Sequence, residues 1–243
     1  RFPVIGNFGL VGPGARAVAD LVAGWRPEVV ITTADTNYPN GAAATIDANI
    51  GQYYAAFIHP YAGRYGPGAS VNRFFPCLGN DDWESPGARP YIDYFALHGN
   101  GRYYTFQLGS VRGFALDSMF DEPDGVASTS KQAQWLRREL AASSARWNLV
   151  YMHHPPYSSG VEHGSREEMQ WPYKAWGTDG VLAGHEHSYE RLRVDGLRYF
   201  VVGTGAGSLY PFADLLPASE FAYNGDNGAM LIEATPTALS FKF

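Results

Sequence analysis

Short apolar runs that stop at a Gly, Asn, Asp or His group set the strongest limit on what this chain can fold into. Gly180–Ala183 is one such run. It reads as a strand and leads straight into Gly184-His185-Glu186-His187. Two imidazoles one residue apart at the carboxyl end of a buried strand stand where open α/β sheets put their chemistry. A single His-x-His carries little weight alone. It gains weight because Asp35, Tyr38, Asn80 and His153 also lie at the ends of predicted strands. Of seven histidines, five (His153, His154, His163, His185 and His187) fall in two segments, a clustering that fits a metal site better than scattered surface or core positions.

The opening predicts a β-α-β unit: strand Phe2–Gly6, helix Ala15–Trp25 with Val18, Leu21 and Val22 as its apolar stripe, and strand Val29–Thr33. Thr45–Phe57 has helical spacing, and His59 to Ser70 reads as a long irregular loop. Phe74–Leu78 is a short buried strand ending at Gly79-Asn80-Asp81-Asp82. Tyr103–Leu108 and Val111–Ser118 read as paired strands. Helix Lys131–Ala142 carries capping residues at Ser128 to Ser130. Asn148–Met152 is a strand into His153-His154-Pro155-Pro156, with His154 pointing away from His153. Glu167–Trp176 reads as a short helix, and Val181–Ala183 as the strand before the His-x-His loop. Tyr199–Val202, Ala229–Ala234 and Leu239–Phe243 close the chain as strands. No linker, repeat or low-complexity stretch divides residues 1–243, so a single domain is expected. Strands that first alternate with helices and then follow one another suggest two packed mixed sheets with helices outside.

Composition excludes several classes. Hydrophobic residues make up 45% of the 243, enough for a sizeable core. The net charge is −6 with no basic cluster, which argues against a nucleic-acid scaffold. No run of about 18 apolar residues exists, so no membrane span is expected. The one cysteine, Cys77, sits in an apolar run and reads as a buried, inert thiol. Gly203-Thr204-Gly205-Ala206-Gly207 lacks the following helix of a dinucleotide fingerprint, and no Gly-x-Ser-x-Gly elbow is present. The aromatic segment Tyr53–Tyr65 reads as hydrophobic packing rather than a substrate rim.

In order, the polar groups are Gly6-Asn7-Phe8-Gly9, Ala34-Asp35-Thr36-Asn37-Tyr38, Gly79-Asn80-Asp81-Asp82, Val150-Tyr151-Met152-His153 and Gly184-His185-Glu186-His187. This series resembles the motif signature of the calcineurin-like metallophosphoesterases, specifically the purple acid phosphatase branch. The tyrosine three residues after Asp35 marks that branch. His153-His154-Pro155 matches its H-x-P element, and His163 resembles its downstream substrate-contacting histidine. The resemblance implies a four-layer α/β/β/α sandwich of two mixed sheets. It implies two metal ions per chain, iron paired with iron, zinc or manganese. Asp35 would bridge them. Tyr38, His187 and residue 7 would serve the first ion, and Asn80, His153 and His185 the second. Hard oxygen and borderline imidazole donors suit such ions. The implied reaction is hydrolysis of phosphate monoesters, with diesters as an extension, by a metal-activated hydroxide. The implied substrate is a phosphorylated small molecule or protein. The resemblance is to enzymes that are secreted or periplasmic, although Arg1–Ile5 reads as a strand and not as a signal peptide.

Three positions depart from the pattern. Asn7 stands where the family has an aspartate ligand. Asp81 replaces a histidine used near the leaving group and is the only acid candidate in that place. Ala34 replaces a glycine, a substitution that is mild if φ there is negative. Six of the seven ligand positions survive, so metal binding is better supported than catalysis. The alternative reading is a catalytically impaired or non-catalytic relative that binds a phosphorylated ligand or a protein partner.

Overall fold

The computed structural model describes residues 1–243. Twelve strands form two sheets: β1 (Phe2–Ile5), β2 (Val30–Thr32), β3 (Phe74–Phe75), β4 (Tyr104–Leu108), β5 (Val111–Ala115), β6 (Trp147–Tyr151), β7 (Gly180–Ala183), β8 (Tyr189–Val194), β9 (Leu197–Val202), β10 (Ser219–Tyr223), β11 (Met230–Ala234) and β12 (Leu239–Lys242). The five-stranded sheet runs β12-β11-β1-β2-β3, and the seven-stranded sheet runs β10-β8-β9-β7-β6-β5-β4. In the first, β1, β2 and β3 are parallel, with β11 antiparallel beside β1. In the second, β5, β6, β7 and β9 are parallel.

Alternation along the strands explains the layering. Phe2, Val4 and Ile31 face Leu149, Tyr151, Leu182 and Phe200 in a core between the sheets. Their neighbours Ile5 and Val30 face outward under Val18 and Val22 of helix Pro13–Gly24. Val150 and Val181 face the other way, under Leu136 and Leu140 of helix Lys131–Ala141. A strand buried on both faces reads as a continuous apolar run, and these do. The result is the expected α/β/β/α sandwich. Ser130 caps helix Lys131–Ala141 by accepting from the Ala133 N–H at 3.1 Å, an interaction worth about 1 kcal/mol.

Several boundaries differ from expectation. Phe74–Leu78 pairs only over Phe74–Phe75, because Pro76 has no N–H to offer a ladder. Thr45–Phe57 is a composite of α-helical turns around a π-helical stretch, Asp47–Gly51, ending in a 3₁₀ turn. Glu167–Trp176 splits into a 3₁₀ turn (Glu167–Met169) and a short helix (Tyr173–Trp176), since Pro172 disfavours helical backbone just before it. Val111–Ser118 ends at Ala115. Strands β8 and β10, and the short helices Asn80–Trp83 and Arg89–Tyr94, were not expected. Cys77 is buried, and Tyr54 lies in the outer core rather than on a rim. No helix is long and apolar enough to cross a membrane.

Side-chain and backbone ties lock the sheets together at one end. Thr33 Oγ1 donates to the Val202 carbonyl at 2.9 Å, and the Gly205 N–H donates to the Gly6 carbonyl at 2.8 Å. The parallel strands β1, β2, β3, β6 and β7 all end at this junction.

Candidate metal centre

Oxygen donors arrive from the five-stranded sheet. Asn7 follows β1, Asp35 follows β2, and Asn80 follows the stretch after β3. The backbone is left-handed at Asn7 (φ 54°), Ala34 (φ 77°) and Asp35 (φ 48°). Ala34 therefore sits where a glycine would be free of strain, and the mild case of a negative φ does not hold; the cost is about 1–2 kcal/mol. Hydrogen bonds from the Asn7 N–H to the Ala34 carbonyl (3.0 Å) and from the Gly9 N–H to the Asp35 carbonyl (3.1 Å) hold these turns. Tyr38 is held by a polar network behind it. Asn49, in the π-helical stretch, donates to the Tyr38 carbonyl and to Asn37 Oδ1, each at 2.9 Å. Asp82 accepts from the Thr36 hydroxyl at 2.5 Å and the Gly79 N–H at 3.0 Å, joining the second and third turns.

Nitrogen donors arrive from the seven-stranded sheet. His153 follows β6, and its Nδ1 lies 3.0 Å from the Thr33 carbonyl. That contact fixes the ring so that Nε2 faces the site, the usual support for a ligating histidine. Nε2 lies 2.8 Å from Asn80 Oδ1, 3.3 Å from Asp35 Oδ1 and 3.0 Å from His185 Nδ1. The donor atoms of Asp35, His153 and His185 all lie within 4.8 Å of one another. His187 is fixed in the same way as His153. Its Nδ1 lies 2.8 Å from the Ser208 carbonyl and its Nε2 3.3 Å from the Tyr38 hydroxyl. Gly184 allows the close approach this requires, because a Cβ there would lie 2.6 Å from the Thr33 carbonyl.

The charges show what the cluster lacks. Burial pushes the Asp35 carboxyl up, but the His153 charge and hydrogen bonds from His153, Tyr38 and the Asp81 N–H outweigh it and hold it below its ordinary value. Burial opposes charge on His153, yet Asp35 raises it. The His185 and His187 rings are driven down, chiefly by burial, and keep free lone pairs. Burial and the Asp35 charge hold the Tyr38 phenol well above its usual range. Oxygen acceptors and imidazole lone pairs thus face one another across a short gap. A cation fits this donor set.

Flanking groups are placed by residues that sequence reasoning missed. The His163 ring stacks on His185 at 3.8 Å, and the Tyr210 ring on His187 at 4.1 Å. Glu186 is fully buried, and its Oε1 accepts from the His163 and Gly164 N–H groups, each at 2.7 Å. Its Oε2 has no partner. Glu190, also buried, accepts from the Ser159 N–H at 2.8 Å and the Ser159 hydroxyl at 2.5 Å. Two carboxylates thus pin the loop that presents His163. The alternation in His-x-His was the available signal: with both rings turned to the site, Glu186 must turn inward. His154 does not point away as expected. Its ring packs 4.3 Å from that of His185, and its Nδ1 lies 2.8 Å from the Ser118 hydroxyl. The strand has ended there, so strict alternation no longer applies. Asp81 lies at the edge of the cluster, accepting from Asn80 Nδ2 at 2.9 Å. Burial and the Asp35 charge push its carboxyl up to about 7. All nine expected site residues thus gather at one junction. The Gly203–Gly207 run finds its use here too, because a Cβ on Gly203 would lie 1.9 Å from the Glu186 carbonyl.

Residues 15–189 match the calcineurin-like phosphoesterase family. The chain belongs to it. Its similarity runs to the purple acid phosphatases within that family. Fe(3+)-Zn(2+) purple acid phosphatase 12 of Arabidopsis thaliana is 36% identical over 92 residues, 34% of this chain and 19% of that protein. An uncharacterized protein of Mycobacterium tuberculosis, Rv2577, is 31% identical over 150 residues, covering 51% of this chain and 28% of the relative. The purple acid phosphatase PPD1 from yellow lupin seeds shares the fold with a TM-score of 0.80 at 19% identity, over 99% of this chain and 51% of that one. The chain thus spans about half of the lupin structure, and its matches cover less than a third of these two relatives.

Proposed function

We propose that residues 1–243 act as one metal-dependent phosphoesterase domain that hydrolyses phosphate monoesters, with diesters within its reach. The observation that carries this reading is the convergence of Asp35 Oδ1, His153 Nε2 and His185 Nδ1 within 4.8 Å, with Asn80 Oδ1 2.8 Å from His153. These four residues would hold a cation, and Asp35, Tyr38 and His187 form the adjoining group. Iron, zinc and manganese all suit the donors, and similarity to the Arabidopsis Fe(3+)-Zn(2+) purple acid phosphatase 12 supports the first two. A metal bound here supplies a Lewis acid and a water of lowered pKa. The chain's own residues do the rest. His163, exposed and set over His185, binds the phosphoryl oxygens. Asp81 holds the proton that the leaving oxygen requires. Glu186 and Glu190 keep the His163 loop in place, so little ordering remains to be done when substrate enters. The substrate is a phosphorylated small molecule or protein, and resemblance to exported enzymes supports a secreted or periplasmic setting.

The test is hydrolysis of p-nitrophenyl phosphate before and after chelation. Its leaving group needs little acid assistance. Turnover should fall at least about 100-fold on chelation and return with added Fe, Zn or Mn. No turnover with any of them would overturn the reading. The second reading, a phosphate-binding relative without turnover, is favoured by the Asn7 amide and by the Asp81 carboxylate beside the site. It predicts that phosphate binding survives in calorimetry while hydrolysis is absent.

A further inference from the structure

The two asparagines of the centre face it in opposite senses. Asn80 turns its nitrogen away to Asp81 Oδ2 at 2.9 Å and presents Oδ1 to His153. Asn7 does the reverse. Its Oδ1 accepts from the backbone N–H of His185 at 2.9 Å, so its NH₂ must face the other way. There the amide nitrogen donates to Asp35 Oδ2 at 2.8 Å and to the Tyr38 hydroxyl at 3.0 Å. Tyr38 itself donates to Asp35 Oδ2 at 2.8 Å and lies 3.3 Å from His187 Nε2. Flipping the amide gains nothing, since its nitrogen would then meet the His185 N–H and its oxygen the Asp35 carboxylate. A carboxylate at position 7 offers an oxygen in both directions, whereas an amide cannot. An NH₂ group has no lone pair for a cation, and its protons are already directed at Asp35 Oδ2 and the Tyr38 oxygen.

We infer that the centre takes one cation, on Asp35, Asn80, His153 and His185, and that the Asn7 amide closes the Asp35–Tyr38–His187 side to a second. This rests on the metal-dependent reading above and narrows it, because the chain then runs a one-ion version of a site whose family resemblance implies a pair.

The experiment strips the full chain with chelator, reloads it with excess Zn²⁺, desalts it and counts metal by elemental analysis. The wild type should retain about one equivalent, and Asn7→Asp about two. His187→Ala should keep its one ion, and His153→Ala should lose it. Reloaded with Fe³⁺ and Zn²⁺, Asn7→Asp should gain a visible phenolate-to-iron absorption band that the wild type lacks. Two equivalents in the wild type, or loss of the single ion in His187→Ala, overturns the inference and leaves the metal-dependent reading intact. No retained metal overturns both. If Asn7→Asp fails to fold, as circular dichroism would show, the wild-type count and the two histidine variants still decide the matter.

Discussion

The five-stranded sheet brings Asp35 and Asn80 to the centre from strands of three and two residues, whereas the seven-stranded sheet brings His153 and His185 from strands of five and four. A two-residue strand has too short a ladder to aim the residues beyond it. The oxygen side is therefore held by its turns. Asn7, Ala34 and Asp35 adopt left-handed backbone, and Thr36, Asn37, Asn49 and Asp82 cross-link the loops behind them. The nitrogen side uses less strain, with only His185 left-handed (φ 70°), and relies on buried carboxylates one turn away. One half of the site is built by loop chemistry and the other by sheet order reinforced from beneath.

Substitutions at three positions test that contrast. Gly203→Ala should be the most damaging, because the new Cβ would meet the Glu186 carbonyl at 1.9 Å and, across the junction of the two halves, Asn7 Oδ1 at 2.9 Å. A loss of about 3 kcal/mol or more is expected in urea unfolding. A loss under about 1 kcal/mol would show that the junction gives way easily. Glu186→Ala strands the His163 and Gly164 N–H groups and should cost about 2 kcal/mol. It should raise KM for p-nitrophenyl phosphate more than it lowers kcat, with Glu186→Gln restoring much of the loss because its amide oxygen still accepts. Equal KM in all three proteins would mean that the sheet alone places His163. Asn49→Ala removes two hydrogen bonds behind Tyr38 and should cost about 1 kcal/mol. Its effect should fall on the tyrosine side, leaving the affinity for the single ion unchanged; a matching drop in metal affinity would show that the two halves are not separable.

The strands that carry the site were legible because each is a short apolar run cut off by a polar turn, and both sheet faces are buried. The gathering of Asn7, Asp35, Tyr38, Asn80, His153, His185 and His187 followed from their places in that series. Strand β8 escaped notice because Glu190, Arg191 and Arg193 interrupt its apolar pattern, and β10 because Glu220 and Phe221 of this edge strand lie open to solvent. The sense of the Asn7 amide could not be read from its own neighbourhood, since the N–H that sets it belongs to His185. The inward turn of Glu186 was implied by alternation, but its partners His163 and Gly164 become visible only once the loop is folded. His154 shows where period-two reasoning stops, three residues past Tyr151, the last paired position of β6.

Strand order also has a consequence for synthesis. In the five-stranded sheet Phe2 pairs with Ile232, so β1 finds one of its two neighbours only after about 230 further residues have been made. Strands β4 to β9, which include those leading to His153 and His185, pair among themselves over residues 104–202. Contacts so distant in the chain are slow to close. The oxygen-donor sheet is thus completed only when β11 docks beside β1, after the strands leading to His153 and His185 have been made.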